Sequence, residues 1–186
     1  MPADGGALIL AAGQSKRYGG DKRYHPIDGQ PMLLATINRY TEVFGQIIVV
    51  LRAQDHATAD LLADIPFVHA EYADLGMGHS LACGAGAALT AQWRHAFVAL
   101  ADMPFVRAAT LRLLNQTMTT ERPAILQPVF NNTPGHPVGF SNRLFTRLQR
   151  LQGDEGARSV LAECADDCVR LNVEDPGVLT DVDTPS

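Results

Sequence analysis

Apolar residues along this chain fall into short runs separated by polar, glycine-rich stretches. Residues 7–12 (ALILAA), 47–51 (IIVVL) and 96–100 (AFVAL) are unbroken apolar runs of strand length, the pattern of strands buried on both faces of a sheet. Residues 67–70, 124–129 and 169–173 are shorter or more mixed strand candidates. Between these runs the apolar spacing turns helical. Met32, Leu33, Ala35, Thr36, Ile37, Tyr40 and Phe44 recur near every third or fourth position, and Pro31 suits a first turn, so the spacing predicts a helix over 31–44. Residues 57–63, 80–93, 108–118, 144–151 and 157–165 read the same way, and 80–93 is rich in small residues that permit close packing. Residues 131–135 (NNTPG) form a turn cluster. Strand–helix alternation of this kind predicts an α/β sandwich with a mainly parallel sheet. Ligands of such sheets bind outside the carboxyl ends of the strands. That rule brings the loop after the first strand, residues 13–22, and Asp102, just past the third strong strand, to one edge.

Composition narrows the class. With 186 residues, the chain is expected to form one domain over 1–186. Apolar residues make up 46 %, too many for a disordered chain. No apolar run approaches the ~20 residues of a membrane span, and the first residues (MPADGG) lack the basic head of a signal peptide, so a cytoplasmic protein without membrane contact is expected. A net charge of −5 argues against broad nucleic-acid binding. An anionic ligand then requires a local site. Cys83, Cys164 and Cys168 are an odd set, expected to be reduced thiols.

The local site with the right composition is GQSKRYGGDK, residues 13–22. Its three glycines permit close backbone approach. Backbone N–H groups and Ser15 are suited to wrapping a polyphosphate, and Lys16, Arg17 and Lys22 add three positive charges to an acidic chain. A solvated surface loop has the same composition. The spacing is neither that of a P-loop, GxxxxGK[ST], nor that of a dinucleotide GxGxxG.

LAAGQSKRYGGDK, residues 10–22, resembles the LAAGxSxRxGxxK signature of the MobA-like nucleotidyltransferases. HPIDGQPML (25–33), LGMGHSL (75–81), LADMPFV (100–106), GHPVGFS (135–141), GDEGAR (153–158) and DVDTP (181–185) are similar to later segments of that family, in its order. The branch most similar is molybdenum cofactor cytidylyltransferase, which has LAAG where the guanylyltransferase branch usually has LAGG. Three features depart from the pattern: Tyr18 in place of Met, Arg23-Tyr24-His25 in place of an apolar stretch, and Ala82 in place of an Arg.

The resemblance implies a Rossmann-like three-layer sandwich of the nucleotide-diphospho-sugar transferase type. It implies transfer of CMP from CTP to the phosphate of molybdenum-bound molybdopterin, with release of pyrophosphate and dependence on Mg²⁺ or Mn²⁺. Such chemistry is positioning plus charge neutralisation. Arg17 would then neutralise the leaving pyrophosphate and Lys22 the α-phosphate. Asp102 is the expected metal ligand, with an N-cap on the following helix as its alternative role. Asp183 is a candidate second ligand, and Asp181 stands two residues away, where an extended chain points both the same way. Leu10, Ala11, Ala12, Gly13, Ser15, Gly76, Gly78 and Ser80 are expected around the nucleotide. His136 is a candidate for the acceptor side; a histidine satisfied within a turn is the other reading. A transient contact with a molybdoenzyme or its chaperone also follows from the resemblance. GTP in place of CTP, another phosphorylated acceptor, and a non-catalytic nucleotide or cofactor carrier are the alternatives.

Overall fold

The unbroken apolar runs become the middle of one sheet. The computed structural model describes residues 4–13 and 19–183. The chain runs β1 (Gly6–Leu10), a small ribbon of β2 (Pro26–Ile27) and β3 (Gln30–Pro31), α1 (Met32–Thr41), β4 (Ile47–Arg52) and α2 (His56–Leu61). It continues through β5 (Phe67–Ala70), α3 (Met77–Thr90), β6 (His95–Leu100), α4 (Ala108–Thr120) and β7 (Ile125–Phe130). Then follow β8 (Thr133–Pro134), β9 (Val138–Ser141), α5 (Phe145–Leu148), α6 (Arg158–Glu163) and β10 (Cys168–Asn172). The main sheet has the order β10-β7-β9-β6-β1-β4-β5, with β8 folded back on β7. Pairings among β6, β1, β4 and β5 and between β7 and β10 are parallel, whereas β9 runs antiparallel to both its neighbours.

Period-two alternation along β1 explains the three layers. Ala7, Ile9 and Ala11 enter one apolar cluster with Leu33 and Ile37 of α1 and Leu111 and Leu114 of α4. Leu8, Leu10 and Ala12 enter the other, with Leu81, Ala85 and Ala88 of α3, Phe145 and Leu148 of α5 and Val160 of α6. Each Leu or Ile fully removed from water contributes roughly 1.5–3 kcal/mol, so the centre of the sheet is the rigid base of the edge described below.

Several elements differ from the sequence reading. Helix α3 starts a turn earlier than Ser80, because Gly76, at φ 132°, redirects the chain there. Residues 144–151 shrink to a 3₁₀ turn over Asn142–Leu144 and the single turn of α5. Strand β9 has no counterpart in the sequence reading: it is four residues long and includes Gly139, whose added Cβ would stand 2.8 Å from the Phe97 ring. Among the described residues, no helix is long and apolar enough to cross a membrane.

Candidate active site

Backbone clamps fix the carboxyl ends of β1 and β6. Ala11 donates its N–H to the Val50 carbonyl at 2.9 Å, and its own carbonyl accepts from Arg23 Nη1 at 2.9 Å. With both groups engaged, the chain leaves the sheet at Ala12 and Gly13. Among the described residues, an added Gly13 Cβ would meet nothing within 4 Å, which leaves room for close backbone approach. Past β6, the Ala101 N–H donates to the Leu10 carbonyl at 3.1 Å, and the Thr36 hydroxyl of α1 donates to the Ala101 carbonyl at 2.9 Å. Asp102 comes next, and its carbonyl accepts from the Val182 N–H at 3.0 Å. That bond lays the C-terminal segment along the sheet edge, with Asp181 and Asp183 on either side of Val182.

One oxygen from each of Asp102, Asp181 and Asp183 lies within 4.8 Å of the others. Lys22 Nζ donates to Asp102 Oδ2 at 2.5 Å and to Asp183 Oδ1 at 3.1 Å. The Lys22 and Asp102 side chains are each 18 % exposed and that of Asp183 is 55 % exposed, so the cluster is sheltered at Asp102 and open at Asp183. Burial alone would lower the Lys22 pKa. Its hydrogen bonds to Asp102 and Asp183 outweigh burial and raise it, so the group is an ammonium at neutral pH. Burial, then the adjacent Asp183 and Asp102 charges, pushes the Asp181 carboxyl up. Clustered carboxylate oxygens are the donor set of a hard divalent cation, which takes one or two carboxylates and fills its other positions with phosphate or water oxygens. The three aspartates fit that requirement.

In front of the cluster opens a cavity of about 400 Å³, lined by Leu10, Ala11, Ala12, Gly13, Lys22, Gly76, Ser80, Asp102 and Asp183. This is the size range of small-molecule sites. Arg23, Met32, Asp74, Met77 and Asp154 also line it. Arg17 and Ser15 lie outside the described residues.

Two expected site residues stand elsewhere. Gly78 is off the lining. An added Cβ on it would meet the Gln152 carbonyl oxygen at 2.7 Å, and its N–H donates to the Gly153 carbonyl at 2.8 Å. An added Cβ on Gly76 would meet Gly153 backbone atoms at 2.3 Å. Both glycines therefore let the segment carrying Asp154 pack onto the start of α3, and Gly76 lines the cavity as well. His136 is not among the residues that line the cavity. Its N–H donates to the Val178 carbonyl at 2.9 Å, and its buried Nδ1 has no partner among the described residues. Burial pushes its pKa down against the opposing pull of the Val98 backbone and the Asp102 carboxylate, so the ring is neutral at pH 7. Asp102 does not cap α4. Asp175 instead braces the start of α4: its Oδ2 accepts from the Arg107 N–H at 2.9 Å and from the Thr110 hydroxyl at 2.7 Å.

Arg23 is the departure from the family pattern that the structure explains. It is buried. It donates to both carboxylate oxygens of Asp55, at 2.5 and 3.0 Å, and to both of Asp21, at 2.5 and 2.8 Å. Arg52 adds bonds to Asp55 from its own side chain and backbone. Burial alone would raise the Asp55 carboxyl; the hydrogen bonds from Arg23 and Arg52 overcome it and hold Asp55 well below the usual carboxylate range. The network ties the turn carrying Lys22 to the ends of β1 and β4.

Residues 7–168 match the family described as MobA-like NTP transferase domain. The chain belongs to that family. The purine catabolism protein PucB of Bacillus subtilis (strain 168) is 29 % identical over 192 residues, covering 96 % of this chain and 91 % of that protein. The structure of Rv0371c from Mycobacterium tuberculosis H37Rv superposes with a TM-score of 0.84 at 27 % identity, covering 99 % of this chain and 95 % of that one. A structure of Rv0371c in complex with manganese gives 0.75 at 26 % identity, with 91 % and 88 % covered. Molybdopterin-guanine dinucleotide biosynthesis protein A of Archaeoglobus fulgidus shares the fold, with a TM-score of 0.69 at 19 % identity over 96 % of this chain and 92 % of that one. The fold is of the nucleotide-diphospho-sugar transferase type.

Proposed function

We propose that this nucleotidyltransferase moves CMP from CTP to the terminal phosphate of a molybdenum–molybdopterin acceptor. The observation that carries the reading is the joining of Lys22, Asp102 and Asp183 on one wall of a cavity whose adjoining wall is the strand-end backbone of residues 10–13. An acceptor phosphate oxygen attacks the α-phosphorus, the bond from that phosphorus to the bridging oxygen of the β-phosphate breaks, and pyrophosphate leaves with the electron pair. No side chain supplies electrons, so the protein contributes orientation and charge. Asp102 and Asp183 would hold a divalent cation, Mg²⁺ or Mn²⁺, which would supply neutralisation of phosphate charge. Lys22 follows the α-phosphate, and Arg17 is assigned to the leaving pyrophosphate. Ala12 lines the cavity at the position where the guanylyltransferase pattern has glycine, and the larger residue favours a pyrimidine. His136 is assigned to the acceptor side. The same reading makes the chain a single catalytic domain of the cytoplasm that hands its product to a molybdoenzyme or its chaperone.

The test is product mass after incubation with CTP, GTP, ATP or UTP, each with Mg²⁺ or Mn²⁺ and the molybdenum-loaded pterin. The expected result is a CMP adduct of the pterin plus pyrophosphate, with neither formed when the pterin is omitted. A GMP adduct would reassign the nucleotide. Tight nucleotide binding with no pyrophosphate under any condition would leave a carrier.

A further inference from the structure

The Lys22 ammonium bridges two carboxylates that reach it from positions 80 and 161 residues away in the chain. It therefore stands among the same oxygens that make the Asp102–Asp181–Asp183 cluster a divalent-cation site. An ammonium 2.5 Å from Asp102 Oδ2 and a divalent cation on that oxygen exclude each other by contact and by like charge. We infer that Lys22 is a place-holder: in the free protein it gathers Asp102 and Asp183, and it gives up that position when a divalent cation and nucleotide enter. This rests on the nucleotidyltransferase reading above and assigns Lys22 a second role within it.

Local geometry suits such an exchange. Arg23, the next residue, is fixed by Asp21, Asp55 and the Ala11 carbonyl, so the backbone beneath Lys22 is anchored. The Lys22 side chain has four rotatable bonds and a compact charge, and it bonds only through its tip, so it swings without moving the anchor. Lys22, Asp102, Asp183 and Gly13 line one continuous cavity. An ammonium leaving the carboxylates thus turns toward the open backbone of Gly13. The exchange also keeps the site balanced: without Lys22, the free protein would hold the three neighbouring carboxylates without this counter-charge.

The test is binding of Mn²⁺ alone to the full chain, read from the electron paramagnetic resonance signal of free aqueous Mn²⁺. Wild type should bind weakly. Lys22→Met, which keeps the length and removes the charge, should bind about tenfold tighter or more. Lys22→Gln repeats the test with a polar neutral side chain, and Lys22→Arg, which keeps the charge, should bind as weakly as wild type. Asp102→Asn should weaken binding in either background. The place-holder role is overturned if Lys22→Met and Lys22→Gln bind no tighter than wild type while Asp102→Asn still weakens binding; the metal site then stands. If no variant binds Mn²⁺, the metal assignment falls and the place-holder role falls with it.

Discussion

Asp102 gains its role from where β6 stops. Its carbonyl is taken by Val182 and its carboxylate by Lys22, and both bonds keep it facing the acids of the C-terminal segment. Asp102→Asn leaves the backbone clamp intact and removes one negative charge from the donor set. Transfer should drop by roughly 10²–10³-fold, as when one electrostatic contact to a transition state is lost, with little change in melting temperature. Base choice is also a residue-scale matter. Ala12→Gly removes a methyl group from the cavity lining, and the expected outcome is a rise in GTP use relative to CTP, read as the ratio of the two kcat/KM values. Asp102 and the loop after β1 were legible in the sequence because a buried parallel strand delivers the residue that follows it to the carboxyl edge. The packing of Gly76 and Gly78 was not legible, since it is the backbone of Gln152 and Gly153, more than seventy positions further along the chain, that leaves no room for a side chain at either position. A spacing rule carries no information about which remote segment packs on a glycine.

At the scale of elements, the turn carrying Lys22 is held by a buried ion network, and this part was illegible in the sequence. A buried arginine requires partners, and Asp55 reaches Arg23 only through the tertiary fold. Arg23-Tyr24-His25 therefore reads as a departure from an apolar pattern, when Arg23 has replaced apolar packing with a satisfied ion pair. Arg23→Leu should cost about 3 kcal/mol, because Asp55 loses a buried partner but keeps Arg52. The melting temperature should fall by roughly 6–12 °C. The pH dependence has a definite sign. The Asp55 carboxyl is depressed in the folded state, so its contribution is present above the ordinary carboxylate pKa near 4. It is lost as pH falls from there through the depressed value, because the unfolded chain takes the proton first. Urea unfolding of Asp55→Asn should show a lower plateau near neutrality and a shallower decline below about pH 4 than wild type. Strand β9 was hidden for a different reason. Its four residues become a strand by filling the gap between β6 and β7, a pairing set by the sheet and not by local propensity.

Over the whole molecule, the sheet edge is assembled from the two ends of the chain. The loop after β1 supplies Lys22, and the C-terminal segment supplies Asp181 and Asp183. Asp175 fixes that segment by accepting from the Arg107 N–H ahead of α4 and from the Gly177 N–H, both at 2.9 Å. A ligand that bridges Lys22 and the aspartates therefore couples remote parts of the chain and should stabilise the fold as a unit. CTP with Mg²⁺ at 100 times its Kd should add about 2.7 kcal/mol, seen as a rise of roughly 5–11 °C in melting temperature, and the rise should shrink in Asp102→Asn. Pyrophosphate release from CTP by wild type and Asp102→Asn, with Mg²⁺ and the molybdenum-loaded pterin present, tests whether the chemistry occurs at this edge. Release that requires both metal and pterin in the wild type and collapses in the variant is the predicted result; undiminished release by Asp102→Asn would contradict the placement of the chemistry at this edge.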